Sequence, residues 1–211
     1  MPKNRLEAFS DGIIAFAITL LILEIHIPDL GPGVDNRTML RAIVALLPNF
    51  TVYVISFLVC TVWWVSHHTF IHDLHSVNRV LLWANNFFLM FIAFIPFPTG
   101  LLGRHPGHPV ATAFYGLVCM LAGFAFWLMR WYASLRGGLM KPEIGEAVLR
   151  RRVRISLMSP LLYLAGAATS LIYPIFALCL YAAIPAYFAF TTLGHGSSKH
   201  AGGNPSYQPE T

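Results

Sequence analysis

The sequence predicts an all-α integral membrane protein with six transmembrane helices per subunit. Of its 211 residues, 56% are hydrophobic and 11% charged, whereas charged residues make up about 25% of a soluble domain. The apolar residues gather into runs, and a crossing needs ~20 of them. Six runs qualify: 8–27, 48–66, 80–103, 110–129, 155–172 and 174–193. The basic residues then sort by side. With the N-terminus inside, eleven Lys and Arg fall on the cytoplasmic side and three, Arg37, Arg41 and Arg104, outside. That bias predicts a multi-pass protein of the cell (plasma) membrane with both termini cytoplasmic. It also accounts for the net charge of +5, so no nucleic-acid partner is called for. The run Arg150 to Arg154 heads a membrane segment and faces the anionic lipid of the inner leaflet. Residues 1–193 form the transmembrane domain, and the Gly/Ser/Pro-rich tail 194–211 is expected to be disordered.

The first run is the most informative. It is apolar from Ala8 to Ile25 but carries Ser10, Asp11 and Thr19. A carboxylate at that depth costs roughly 2.5 to 3.5 kcal/mol, so it has a partner or a function. Glu7, Asp11 and Glu24 lie in or beside the core and no small-x-small site precedes Ile27-Pro28, so the segment is expected to be a retained helix rather than a signal peptide. Wound at about 100° per residue, Gly12, Leu20, Leu23 and Ile27 fall within about 40° of Phe16, with Thr19 about 60° away. Glu7 and Asp11 fall on the opposite side. Ordinary bundle packing gives the same apolar spacing, so periodicity alone leaves the role of this stripe open.

Further along, Pro28 to Arg37 is a polar outer loop and Thr38 to Leu47 a short apolar surface helix. Pro48 suits the first turn of the second span, where its missing N–H does no harm. That span carries no charge and ends in Trp63-Trp64 at the inner interface. Pro96 and Pro98 close the third span with a kink or stop. Gly116 and Gly123 in the fourth span, and Gly166 to Ala168 in the fifth, are of the small type that permits close helix contact; a lipid-facing accident explains the first pair equally well. Tyr173-Pro174 divides the last two spans into a tight hairpin. Cys60, Cys119 and Cys179 all fall within spans and predict reduced structural thiols.

Polar residues concentrate after the second span: His67, His68, His72, Asp73, His75, Asn78 and Arg79. His68, His72 and His75 follow an i, i+4, i+7 pattern that raises a metal site. The other histidines lie on the outer side (His26, His105, His108) or in the tail (His195, His200), so the solvated loop is the preferred reading for His72 and His75. His67 and His68 share the depth of Ser10 and Asp11, as do Asn85 and Asn86. Polar groups that far from water must satisfy one another. One buried network is expected, joining Ser10 and Asp11 to a histidine, His67 or His68, and to an asparagine of the third helix.

Arg5, then Phe9-Ser10-Asp11, then Thr19-Leu20-Leu21 resembles the first helix of the transmembrane-protein-175 family of potassium channels, in its bacterial branch. Trp64 with His67-His68, Leu82-Trp83-Ala84-Asn85 and Pro96-Phe97-Pro98-Thr99 come next in order. The resemblance covers Arg5 to about Gly103 and beyond that hydropathy alone. It implies a potassium-selective, leak-type channel: a homotetramer in the membrane lipid, with four first helices around the pore and K⁺ as the permeant ion. Phe16, Leu20 and Leu23 would form successive hydrophobic rings, with Phe16 at the family's tightest constriction. Many relatives carry an aliphatic residue there. Thr19 offers a hydroxyl beside the gate for selectivity, or merely a bond to its own helix. Arg5, Ser10, Asp11, His67 and Asn85 correspond to the family's structural polar network, although on the wheel Arg5 projects near the stripe and meets the others only through an irregular start or a neighbouring subunit.

The carbonyl filter loop TVGYG is absent, as are nucleotide motifs and an arginine ladder. No catalytic residue, resident metal or cofactor is predicted. Two other classes stay open from the residues: a metal-dependent membrane enzyme using the His67 to His75 cluster, and a proton-coupled carrier using Asp11 and the histidines.

Overall fold

The computed structural model describes residues 3–196, with side chains described through Phe188. The described residues fold into nine α-helices: α1 (Lys3–Leu20), α2 (Asn36–Ala45), α3 (Leu47–His72), α4 (Arg79–Phe94), α5 (Pro96–Arg104), α6 (Pro109–Trp131), α7 (Glu146–Ser156), α8 (Met158–Ser170) and α9 (Pro174–Gly196). No strand occurs among them, only one bridge between Leu74 and Met140. Four stretches are long and apolar enough to cross a membrane: Lys3–Glu24, Leu47–His72, Arg79–Arg104 and Pro109–Arg136.

Helix boundaries depart from the expected spans where the backbone chemistry changes. The first span does not stay α-helical to Ile27. It tightens into a 3₁₀ turn over Leu21–Glu24 and leaves the helix at Ile25, which is extended. The second runs past Ser66 to His72, so His67, His68 and His72 are helical. Within the third, Ile95 separates α4 from α5, because neither Pro96 nor Pro98 can supply the N–H that an unbroken helix needs. Residues 155–172 likewise do not form one helix. A turn at Leu157 ends α7 and begins α8, and Pro160 leaves Ser156 without its usual i+4 donor. Part of the tail, residues 197–211, lies outside the described residues.

Helix α6 is the centre of the bundle and packs against α4, α5, α8 and α9, while α1 lies on α3 and α4. The glycines explain how closely α6 and α8 approach. A Cβ on Gly116 would strike the hydroxyl of Tyr181, one on Gly166 would strike the Tyr181 ring, and one on Gly123 would crowd Pro160. Tyr181 is fully buried and its hydroxyl donates to the Thr112 carbonyl at 3.3 Å. The small residues thus make the slot into which α9 inserts an aromatic ring. Buried hydroxyls tie α3, α5 and α6 together as well: Ser56 Oγ lies 3.0 Å from Tyr115 Oη and 2.9 Å from Thr99 Oγ1. Cys60 and Cys119 are buried free thiols and Cys179 an exposed one.

At the basic end, Lys3 Nζ donates to the carbonyls of His72 at 3.0 Å and Leu74 at 3.3 Å, placing a cation on the C-terminal carbonyls of α3 where the helix dipole favours it. Arg152 of α7 pairs with Asp73 at 2.5 Å, so the ends of α3 and α7 are joined on the same side of the bundle.

Candidate functional site

The sequence of α1 divides it into two faces. Leu6, Ser10, Ile14 and Ala17 are buried, continued by Leu21 in the 3₁₀ turn; their spacing of four, four, three and four traces one helical stripe. Phe9, Phe16 and Leu23 lie seven apart on the other side and are 53%, 64% and 67% exposed. Leu20 is half-buried and Thr19 exposed. Ile27 is exposed too, but it stands beyond the helix and belongs to no helical stripe.

A buried polar triad fixes how α1 is turned. Ser10, His67 and Asn85, one each from α1, α3 and α4, are 0%, 1% and 0% exposed. Asn85 Nδ2 donates to Ser10 Oγ at 3.0 Å, and Ser10 Oγ donates to the Leu6 carbonyl at 2.8 Å. His67 Nε2 lies 2.7 Å from Asn85 Oδ1. A carbonyl oxygen only accepts, so His67 carries its proton on Nε2. The imidazole stacks on Phe88 with centroids 5.6 Å apart, and its Nδ1 is buried without a hydrogen-bond partner. Between His67 and His68, the structure brings His67 to Ser10.

Asp11 and Arg5 lie apart from this triad. Asp11 Oδ1 accepts from Trp64 Nε1 at 3.0 Å on the surface of the subunit. Its position one residue, about 100°, round the helix from Ser10 carries it past the core. Arg5 is exposed and makes no hydrogen bond or ion pair among the described residues. His68 Nδ1 instead faces Glu7 Oε1 at 3.3 Å, and with the Asp11–Trp64 pair this gives a polar strip where α1 meets α3. Sequence reading missed Trp64 as the partner of Asp11, although the indole N–H at a matching depth was the signal available.

The opposite end of α1 is held by a second set. His26 Nδ1 donates to the Glu24 carbonyl at 2.9 Å, leaving Nε2 to accept from Arg104 Nη2 at 3.2 Å. Arg104 also lies 3.9 Å from the Glu24 carboxylate. That carboxylate rests against Gly100, where a Cβ would collide with it. Among the described residues no three His, Cys, Asp or Glu side chains are grouped for metal coordination. His72 and His75 do not join His68. His75 Nδ1 is instead 3.2 Å from the Met140 carbonyl.

Thr19 Oγ1 donates to the Phe16 carbonyl at 2.8 Å. The bond uses the hydroxyl proton, and its lone pairs stay available on the exposed face.

A helix anchored by polar groups at both ends, with an apolar face that the rest of the chain leaves uncovered, in a bundle with four stretches able to cross a membrane, is the architecture of a polytopic membrane protein. Comparison with known proteins makes this specific. The profile of the endosomal/lysosomal potassium channel TMEM175 family matches residues 5–96. A potassium channel of Streptomyces collinus is 37% identical over 163 residues, 74% of this chain and 77% of that protein. One from a Chryseobacterium species is 30% identical over 186 residues, 86% and 89% of the two. The crystal structure of a TMEM175 homologue from Chamaesiphon minutus superposes with a TM-score of 0.79 at 28% identity, covering 90% of this chain and 97% of that one. The chain belongs to the TMEM175 family, whose members are ion channels and not enzymes. More distant animal relatives are named endosomal/lysosomal proton channels; the human one is 29% identical over 64% of this chain and 28% of its own length.

Proposed function

We propose that this protein is a potassium-selective, leak-type channel of the cell membrane, assembled as a homotetramer with four copies of α1 around a central pore. The observation that carries the reading is the uncovered face of α1. Phe16 and Leu23 are about two-thirds exposed on a helix whose other face is core, and a single such face cannot enclose an ion path. In the tetramer Phe16, Leu20 and Leu23 stack as apolar rings. Such rings stop ions by excluding water when narrow and pass them when they dilate enough to wet. Thr19 sets a hydroxyl beside the first ring, with its lone pairs toward the ion.

The Ser10–His67–Asn85 triad acts at a distance by fixing the rotation of α1, so that Phe16 faces the axis instead of the core. Arg5 and Asp11 stand at the subunit surface, where a neighbouring subunit supplies the partners that a charge at membrane depth requires. Six crossings per subunit complete the topology. Residues 155–172, mostly α8, and α9 serve as the fifth and sixth, since 23 residues of α9 span about 34 Å at 1.5 Å per residue. The basic end, with the N-terminus, faces the cytoplasm by the charge bias.

Flux through the purified protein in liposomes tests the proposal. With a K⁺ gradient alone, flux should appear without a co-substrate and exceed that of Na⁺. Because animal relatives are named proton channels, H⁺ is measured alongside; H⁺ flux without K⁺ flux, or no flux at all from an intact oligomer, overturns the potassium reading.

A further inference from the structure

Away from α1, a cavity of about 190 Å³ opens at the basic end between α3, α6, α7 and α8. That is several times the ~30 Å³ that one water occupies. One side is apolar, built from Val62, Trp63 and Phe126, and the other carries Arg130, Arg152, Ser156 and Ser159. The two arginines are not equivalent. Arg152 is engaged by Asp73. Arg130 is held between the rings of Phe70 and Phe126, at 5.6 and 5.0 Å from their centroids, and reaches only the Ser66 carbonyl, at 3.5 Å. Its Nε–H is buried without a hydrogen-bond partner. With two guanidinium groups and one carboxylate, the cavity keeps a surplus positive charge.

We propose that this cavity binds the phosphate of an anionic phospholipid, with the headgroup against Arg130 and Arg152 and the start of the acyl region along Trp63 and Phe126. Arginine is suited to phosphate because its planar fork donates two parallel bonds and gives up hydration readily. The hydroxyl of Ser159 supplies a further donor, while that of Ser156 already donates to the Val153 carbonyl at 2.8 Å. Depth agrees with the assignment: Arg130 is next to last in α6, level with the basic run of α7 that heads its membrane segment, and basic pockets between helices at this level are where anionic headgroups settle. A lipid in this position would bridge α3, α6 and α7.

Native mass spectrometry of the full-length protein in detergent tests this, titrated separately with phosphatidylglycerol, phosphatidylcholine and inorganic phosphate. Phosphatidylglycerol should bind about tenfold more tightly than phosphatidylcholine: both present a phosphodiester to the arginines, but the choline cation of the second is repelled by the surplus positive charge. Arg130→Gln should abolish the preference. Because that change also removes two ring contacts, Ser159→Leu is the second variant: it fills the cavity, leaves both arginines in place and should also abolish it. Equal binding of the two lipids, or a Ser159→Leu protein that elutes normally and keeps the preference, overturns the proposal. Inorganic phosphate matching phosphatidylglycerol in affinity assigns the site to a soluble anion and overturns the lipid reading. None of these outcomes depends on K⁺ flux, so the test is separate from that of the channel.

Discussion

Replacing Asn85 with Leu would remove the centre of the buried triad while keeping the side chain near its original size. The consequences for its two neighbours differ. Ser10 keeps its 2.8 Å bond to the Leu6 carbonyl, so its hydroxyl proton stays satisfied. His67 loses the 2.7 Å bond from Nε2, and its Nδ1 has no partner to begin with. The imidazole is then buried with both nitrogens unpaired. Leaving one such group unsatisfied costs about 1 to 3 kcal/mol, which corresponds to a fall of roughly 2 to 12 °C in melting temperature for a chain of this length.

The decisive comparison adds His67→Phe. Phenylalanine keeps the stacking on Phe88 and carries no nitrogen to strand, and removing both partners of a buried hydrogen bond is nearly neutral. Asn85→Leu with His67→Phe should therefore be more stable than Asn85→Leu alone, recovering about 1 to 3 kcal/mol. Thermal melts of the four proteins of the cycle, with size-exclusion chromatography in detergent, measure it. If the double variant loses the sum of the two single losses, His67 and Asn85 are not coupled and the triad does not orient α1.

Phe16→Asn should widen and wet the first ring and raise K⁺ flux with selectivity equal or lower; an intact oligomer with flux at or below the parent level would move the constriction to Leu20 or Leu23. Asp11→Asn keeps an oxygen for the Trp64 indole but removes the charge available to a neighbouring subunit, so the oligomer peak should shift while the subunit stays folded; a normal oligomer with altered K⁺/Na⁺ selectivity would make Asp11 a pore residue. Cysteines at Phe16 and Leu23 should react with a polar thiol reagent and change the current, whereas those at Ile18 and Leu21 should not. Gly166→Ala drives a methyl into the Tyr181 ring and should cost about 1 to 3 kcal/mol in a thermal melt, relieved when Tyr181→Leu is added.

Local chemistry made part of this molecule legible in its sequence. The apolar runs, the division of α1 into two faces, the break at Pro96 and Pro98 and the packing role of Gly166 all come from periodicity or from a backbone constraint. The family resemblance pointed to Asn85, and depth matching was enough to connect Ser10 with an asparagine of the third span and with one of two adjacent histidines. It could not choose between His67 and His68, because that depends on the rotation of α3, and α3 is apolar on all sides. Nor could it separate Asp11 from Ser10. The two are adjacent in sequence, yet one points into the core and the other past it to Trp64. The Arg130 cavity had no sequence signal at all, since it depends on how α3 meets the consecutive helices α6 to α8.

The 3₁₀ turn at the end of α1 alters the proposed gate more than a wheel of constant pitch allows. At about 100° per residue, Leu20 lies about 40° to one side of Phe16 and Leu23 about 20° to the other. From Leu21 to Glu24, however, the chain advances with 3₁₀ geometry, about 120° per residue, so three steps return to the starting azimuth. Leu23 is thereby carried to the side of Leu20, directly above it and still on the exposed face, as its 67% exposure requires. In the proposed tetramer this makes the Leu20 and Leu23 rings one eclipsed apolar collar above Phe16, instead of two staggered steps. The tightening also turns Glu24 to rest on Gly100 beside Arg104, which would keep a carboxylate out of the proposed conduction path. A substitution that restored α-helical pitch to residues 21–24 would therefore stagger the collar and release Glu24 from its clasp in the same movement.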